Sequence, residues 1–540
     1  MEHKTTNPSG ARASPPSRHG SPGATAGEQP TTTDASSRRR DRSPWWRIRL
    51  FRGMINDVRQ RLPYYASDWT DAWDYRVVPA TIYMYFANIL PALAFSLDMF
   101  TKTNMQFGVN EVLLSSVLGA VAFAMLSCQP LVIVGVTGPI TVFNYTVYDI
   151  MSPTGTNYLA FMCWIGLWSL VLHWVLAITN SCNWLRYVTR FPCDIFGFYV
   201  ACIYLQKGVE VLSRLGDREP FYLSVAVAVL VFGVAYVCGV LGSGTLFSHP
   251  VRVFLKDYGT PLTVVFFTGF VHIGRMAAVQ LDVLPTAPTF VPTLPSGRGW
   301  LVDFWSLSPA HVFLALPFAV LLTVLFWFDH NVSSLIAQGT EFPLRKPAGF
   351  HWDLFLLGLT TGVAGLLGLP FPNGLIPQAP FHTESLCVTA MAPSEDEESS
   401  TGGSGGEQSP ADHSSKTRPR AVRVVEQRVS NLAQGLLTLG TMSPPLLVVL
   451  HLVPQAPAEL ALLDGPTASP FIMENIGGVY GAPGDGVLDA VGAGSGADDV
   501  EGGRRKGAGT AGAAASSSSA TEPAEKTARH RPAGSGVVEE

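Results

Sequence analysis

Charge is scarce in this 540-residue chain. Asp, Glu, Lys and Arg make up 14% of it, against about 25% in a typical soluble protein. The charge that exists gathers in residues 1–43 and 455–540, which are rich in Gly, Ser, Ala, Pro and Thr. The net charge of −5 therefore describes tails and loops, and no nucleic-acid partner is expected. Cysteine is sparse too. Cys128, Cys163, Cys182, Cys193, Cys202, Cys238 and Cys387 form no CxxC pair, and most lie inside apolar runs. They read as small packing residues, which leaves no disulfide framework, zinc site or other metal centre to expect. The N-terminus has no short apolar core of a cleaved signal peptide, so the first span must serve as its own insertion signal. HExxH, a P-loop and paired intramembrane aspartates at catalytic spacing are all missing. An enzyme is not expected, and no cofactor is implied.

Apolar residues are plentiful, at 47% of the chain. A helix needs about 20 mostly apolar residues to cross a bilayer. The runs that qualify are roughly 77–97, 109–128, 130–149, 157–179, 194–212, 221–241, 261–280, 309–331, 352–369, 373–390 and 432–453. An all-α polytopic membrane protein is expected. Arg47, Arg49, Arg52, Arg59 and Arg61 before the first span put the N-terminus in the cytoplasm. The chain then divides into a disordered tail over 1–43, a cytoplasmic amphipathic segment over 44–76, a transmembrane domain over 77–453 and a low-complexity tail over 454–540. The amphipathic segment lies either on lipid or on the protein's own cytoplasmic face. Within the membrane domain, 392–428 is a mobile loop that opens on "SEDEESS". The sequons at Asn144 and Asn331 fall in or beside spans and are chance matches. Lys207 and Glu210 are spaced to pair on one helix face, and His272 and Arg275 sit near a span end.

Two spans are poor helices. "CQPLVIVGVTGPITVFNY" carries Pro130, Gly135, Gly138 and Pro139, and "LPFPNGLIPQAPFHTESL" carries four prolines and a glycine. Proline breaks a helix interior because it lacks the N–H and clashes with the preceding turn. These are the third and tenth runs, equivalent positions in two inverted repeats of seven. Irregular backbone at membrane depth survives only where protein or a wet cavity covers it, and matched broken segments point to a transporter's substrate site. Each break starts a half-helix whose free N–H groups and dipole, worth about +0.5 charge, face the gap. The residues expected there are Thr137 and Gly138 on one side, and Asn373, Gly374 and Gln378 on the other. They offer donors without a Lys or Arg, a setting for a small anion. The alternative is that each proline merely kinks a packed helix.

Asp329, late in the eighth run, adds a carboxylate. Such a group near the membrane interior costs roughly 2.5–3.5 kcal/mol on insertion scales and is functional by default. The plain alternative is an interfacial Asp at a helix end. Beside an anion it fits if it is protonated or paired with a cation during transport, so a coupled proton or cation is expected. His330 next to it could share the proton or stand as a hydrogen-bonded spectator.

"LVIVGVTGPITVFNYTVYDI", "WFDHNVSSLIAQGTEFPLRKPAGFHWDLFLLGLTTGVAGLLGLP", "NGLIPQAPFHTESLCV" and "EQRVSNLAQGLLTLGTM" together resemble the bicarbonate-transporter and anion-exchanger superfamily, most closely its fungal boron-transporter branch. The resemblance runs over roughly 45–453. It implies fourteen spans in two inverted halves, core and gate domains, a homodimer, and a substrate between the third and tenth spans. Asp329 matches the family's eighth-span acidic position. Gln378 stands where the red-cell exchangers carry an arginine, which argues against simple chloride/bicarbonate exchange and suits borate. The function implied is borate efflux across the plasma membrane, with the vacuolar membrane as the alternative location and bicarbonate or another small anion as the alternative substrate. Past "VVLHLVPQA" the family's last three spans are not recognisable. The fold expected is thus a 7+7 core/gate arrangement cut after about eleven spans, and a third alternative is a truncated, non-transporting partner or regulator.

Overall fold

The computed structural model describes residues 50–452, apart from 189–191, 193–194, 201, 204–205, 207–218, 244–245, 280–283, 287, 295–297, 340–341 and 393–417. Lys207 and Glu210, both terminal tails and nearly all of the acidic loop lie outside the described residues. Two short helices, α1 (Arg52–Arg61) and α2 (Tyr65–Thr70), precede the long ones. Then come α3 (Val77–Lys102), α4 (Val109–Leu126), strand β1 (Val134–Gly135), α5 (Gly138–Met151) and α6 (Tyr158–Ile178). Next are α7 (Glu219–Ser243), α8 (His249–Phe270), α9 (Pro309–Ala337) and α10 (His351–Leu366). Strand β2 (Asn373–Gly374), α11 (Gln378–Ser385), β3 (Cys387–Ala392), β4 (Arg418–Val424), α12 (Val429–Thr441) and α13 (Pro444–His451) complete the order.

Five described helices are long and apolar enough to cross a membrane, or six if the bent pair α12–α13 is one span. The share of the apolar window that is buried falls from 72% in α3 to 22% within α7. Lipid, not protein, is therefore the natural neighbour of α7, since apolar side chains there gain nothing from water. The ends carry recognisable start signals. Asn157 caps α6 by accepting the Ala160 N–H at 3.3 Å, and Ser308 precedes Pro309 at the first position of α9.

Three sequence expectations change. The seventh run was placed at 261–280, but α8 begins at His249 and ends at Phe270. Ser248 followed by a proline in the first turn is a strong start signal, and the helix absorbs Arg252, Lys256 and Asp257 that a hydropathy window rejects. The run 432–453 is not one helix: α12 and α13 meet at 80°, where Ser443 and two prolines restart the chain. The fold is not purely helical either. β1 pairs with β2, and β3 with β4, both antiparallel. The second pair shortens the tenth run to the eight-residue α11, with β3 taking up the chain at Cys387.

The main core joins α6, α9 and α10 through Phe161, Ile165, Phe326, Leu354 and Leu357. Close approach of α6 and α10 depends on glycine: a Cβ on Gly166 would stand 2.9 Å from Phe371 Cε1 and 3.1 Å from the Thr361 carbonyl. Of the two settings expected for the amphipathic segment, α1 adopts a fixed seat on the protein. Asp57 accepts the N–H groups of His351 at 2.8 Å and Trp352 at 3.2 Å, capping α10. Burial pushes its carboxyl up to about 7, although those two N–H groups pull it down. The outward side of α1 still exposes Ile55, beside Leu50, Phe51 and Leu62.

Beneath α1 and α2 sits a buried ionic knot. Asp68 is fully buried and meets Arg61 at 2.9 Å, Arg428 at 2.9 Å and Lys346 at 2.8 Å. Arg428 spends its remaining donors on the Ala124 and Ser127 carbonyls, at 3.0 and 2.8 Å. A guanidinium there satisfies the open end of α4 and complements its dipole. The knot ties the N-terminal segment to the loops before α10 and α12.

Candidate functional site

Apolar sequence brings two interrupted segments to the middle of the fold, where they cross. Val134 pairs with Gly374 and Gly135 with Asn373, and the Leu375 N–H reaches the Ile133 carbonyl at 2.9 Å. The ladder answers a physical need: backbone that leaves a helix inside a dry core must find partners elsewhere. Its antiparallel register has a second effect. Each strand feeds a helix within three or four residues, so α5 and α11 both start near the crossing. The N-terminal, positive end of each helix is the end nearest the crossing in sequence.

The predicted residues take these places. Thr137 is the extended residue before α5, and its hydroxyl is buried without a partner. Gly138 opens α5, with Phe95 of α3 and Ile203 against it. Gln378 opens α11, fully buried; its Nε2 reaches the Ala87 carbonyl at 3.4 Å and its Oε1 is unpartnered. Asn373 and Gly374 form β2. Asp329 is 2% exposed and lies eight residues before the end of α9, so it is inside the fold and not at a helix end. Asn373 Nδ2 donates to Asp329 Oδ2 at 2.6 Å, and Asn373 Oδ1 accepts the Gly374 N–H at 2.8 Å. One side chain thus ties the carboxyl to the crossing.

Other polar residues surround the crossing that the run-by-run reading missed. Asn431 Nδ2 donates to the Pro130 and Val132 carbonyls, both at 3.0 Å. Gln434 Nε2 donates to Asn431 Oδ1, and Asn88 Nδ2 donates to Gln434 Oε1, each at 3.1 Å. The Ser116 hydroxyl is buried and unpartnered, and a Cβ on Gly135 would lie 3.4 Å from it. His382 bridges the Leu131 carbonyl at 2.8 Å and Ser430 Oγ at 2.7 Å. The available signal was a polar residue set in each apolar run, as at Asn88. His272, beyond α8, reaches the Leu452 carbonyl at 3.0 Å. Among the described residues no group of three or more His, Cys, Asp or Glu could hold a metal ion.

The crossing thus gathers neutral polar groups at two helix starts with one acid beside it. The family model described as the integral membrane domain of HCO3⁻ transporters matches residues 49–224 and 217–458. The chain belongs to the bicarbonate transporter family. A candidate transporter of Schizosaccharomyces pombe is 56% identical over 406 residues, covering 74% of this chain and 75% of the relative. Boron transporter 1 of Saccharomyces cerevisiae is 45% identical over 415 residues, covering 75% and 67%. Band 3 anion transport protein of Homo sapiens is 28% identical, covering 64% of this chain and 40% of that one. The transmembrane domain of the cyanobacterial bicarbonate transporter BicA aligns over 77% of this chain and 98% of its own, at 13% identity and a TM-score of 0.48. This family member is an anion transporter and not an enzyme.

Proposed function

We propose that the chain exports borate across the plasma membrane as a secondary active carrier, holding the anion between the starts of α5 and α11. The observation that supports this most is the antiparallel crossing, which brings two helix starts within a few residues of one ladder while Thr137 Oγ1 and Gln378 Oε1 stay unpartnered. Buried polar atoms without partners are rare and are explained by a missing ligand or water. Residues 128–151 and 369–386 contain no Lys or Arg. The Thr137 hydroxyl can donate and the Gln378 amide oxygen can accept an O–H, a combination that suits a hydroxylated anion, and boron transporter 1 is a relative over three quarters of the chain. In this reading Asp329 carries a coupled proton or pairs with a cation, the carrier has two inverted halves, and two copies pair in the membrane.

A second reading, movement of bicarbonate or another small anion, draws on the description of the matching family model. Boron content decides between them. Cells lacking their own exporter should hold less boron once they express this chain, while internal bicarbonate load stays unchanged. Equal boron with and without the chain, in the whole cell and in its vacuole alike, overturns the borate reading. The vacuolar alternative predicts instead that boron moves into an organelle and total content stays level.

A further inference from the structure

Resting on the reading of an anion site at the crossing, we propose that His330, backed by His173, binds the proton that balances the charge of the transported anion. His330 is 1% exposed and both of its ring nitrogens lack a hydrogen-bond partner. A neutral imidazole always has one N–H donor and one lone pair. Burying both without partners is costly and calls for a second state in which they are used. The ring stands against the crossing itself: a Cβ on Gly374 would lie 3.1 Å from His330 Nδ1 and 3.2 Å from its Cα. Consecutive residues of α9 thus meet consecutive residues of β2, Asp329 with Asn373 and His330 with Gly374.

Behind His330 runs a polar seam between α6 and α9. Ser169 Oγ and Thr323 Oγ1 are 3.0 Å apart. His173 Nδ1 donates to the Ser169 carbonyl at 2.8 Å, which leaves Nε2 as a bare, buried lone pair. The His173 ring packs on Phe326, one turn before His330 on α9. The groups that face His330 are few. From α6 it feels His173; from α4 it meets the edge of Phe123, with ring centroids 5.2 Å apart; from β2 it meets Gly374. On its own helix the ionisable neighbour is Asp329.

Charge bookkeeping points to the role. An anion entering a dry core adds one negative charge, and the two broken segments supply no Lys or Arg to offset it. With Asp329 protonated and His330 cationic, a site holding a monovalent anion is neutral as a whole. With His330 neutral it is not. Anion binding and protonation of the imidazole are then reciprocally linked: each strengthens the other by the same factor. A cationic His330 also gives the ring N–H beside Gly374 a use toward the loaded crossing.

The test uses the full chain purified into proteoliposomes, with borate and bicarbonate run as separate probes from pH 5.5 to 8. With total probe adjusted at each pH to hold the free anion concentration constant, an obligatory proton adds up to tenfold to the rate for each pH unit lowered. His330→Gln should fold, bind the anion more weakly at low pH, and lose one such tenfold step per pH unit relative to wild type. His173→Gln should shift the midpoint of the same limb without removing it. Imidazole ¹⁵N NMR on wild type gives a readout that needs no variant: His330 should be neutral without anion and cationic at saturating anion. Transport with an unchanged slope in His330→Gln, or an imidazole that stays neutral when anion is bound, overturns this proposal alone. Movement of neither probe by wild type overturns the anion-site reading and this proposal with it.

Discussion

At the scale of single residues, the pairing of Asn373 with Asp329 carries the most weight. A 2.6 Å contact between a buried amide and a buried carboxyl fixes where the acid points. Asp329→Asn keeps size and shape but cannot take or release a proton. Borate export should fall by roughly tenfold or more, the equivalent of about 1.4 kcal/mol in the barrier, and its pH response should flatten. Export that keeps both its rate and its pH response would remove Asp329 from coupling. Gln378→Ala tests the other half of the crossing. A hydrogen bond to a charged group is worth about 1.5–3 kcal/mol, so anion affinity should weaken by about tenfold or more. Unchanged affinity would take Gln378 out of the site.

Among the elements, the N-terminal helices make the clearest predictions. Asp68 serves three cations at once, and removing one partner of a buried ionic group costs about 3–5 kcal/mol. Asp68→Asn should therefore lower the unfolding midpoint sharply, while Asp71→Asn, which touches only the Lys346 arm at a half-exposed carboxyl, should change it by under about 1 kcal/mol. Asp57 sets a pH dependence. Its carboxyl is raised from 3.8 to about 7 in the fold, so the folded state holds the proton more tightly than the unfolded chain. Stability from this group is fully present below about pH 4 and is lost as pH rises through about 7. Thermal unfolding in detergent should show that loss in wild type and a flatter profile in Asp57→Asn. Identical profiles would place the titration elsewhere.

For the whole molecule, much of the architecture was legible because membrane spans are local signals: a long apolar run with flanking charges needs no partner to be read. The two interrupted runs were legible because prolines and glycines cluster there, as Pro130, Gly135, Gly138 and Pro139 do, whereas single prolines such as Pro91 and Pro317 stay inside helices. What escaped depends on partners far away in sequence. Nothing near Asn88 announces Gln434, and nothing near His330 announces His173. The start of α8 at His249 escaped because a capping signal outweighed three charged residues, and the angle at Ser443 because apolar content conceals a change of direction. The charge balance proposed for His330 belongs to this scale also, since it concerns what the loaded carrier as one body brings across lipid.

The ladder at the centre is nearly its own image under a half-turn, yet its side chains are not. Where one strand places Gly135, the other places Asn373; where one places Val134, the other places Gly374. A bare hydrogen faces the amide that holds the acid, and a branched methyl pair faces the glycine that admits the imidazole. Backbone twofoldness therefore coexists with a one-sided chemistry. Exchanging the residues of a rung, Gly135→Asn with Asn373→Gly, would keep the composition while moving the amide away from Asp329 and pressing a new Cβ to 3.0 Å from Asn88 Oδ1, so the two sides of the ladder are not interchangeable.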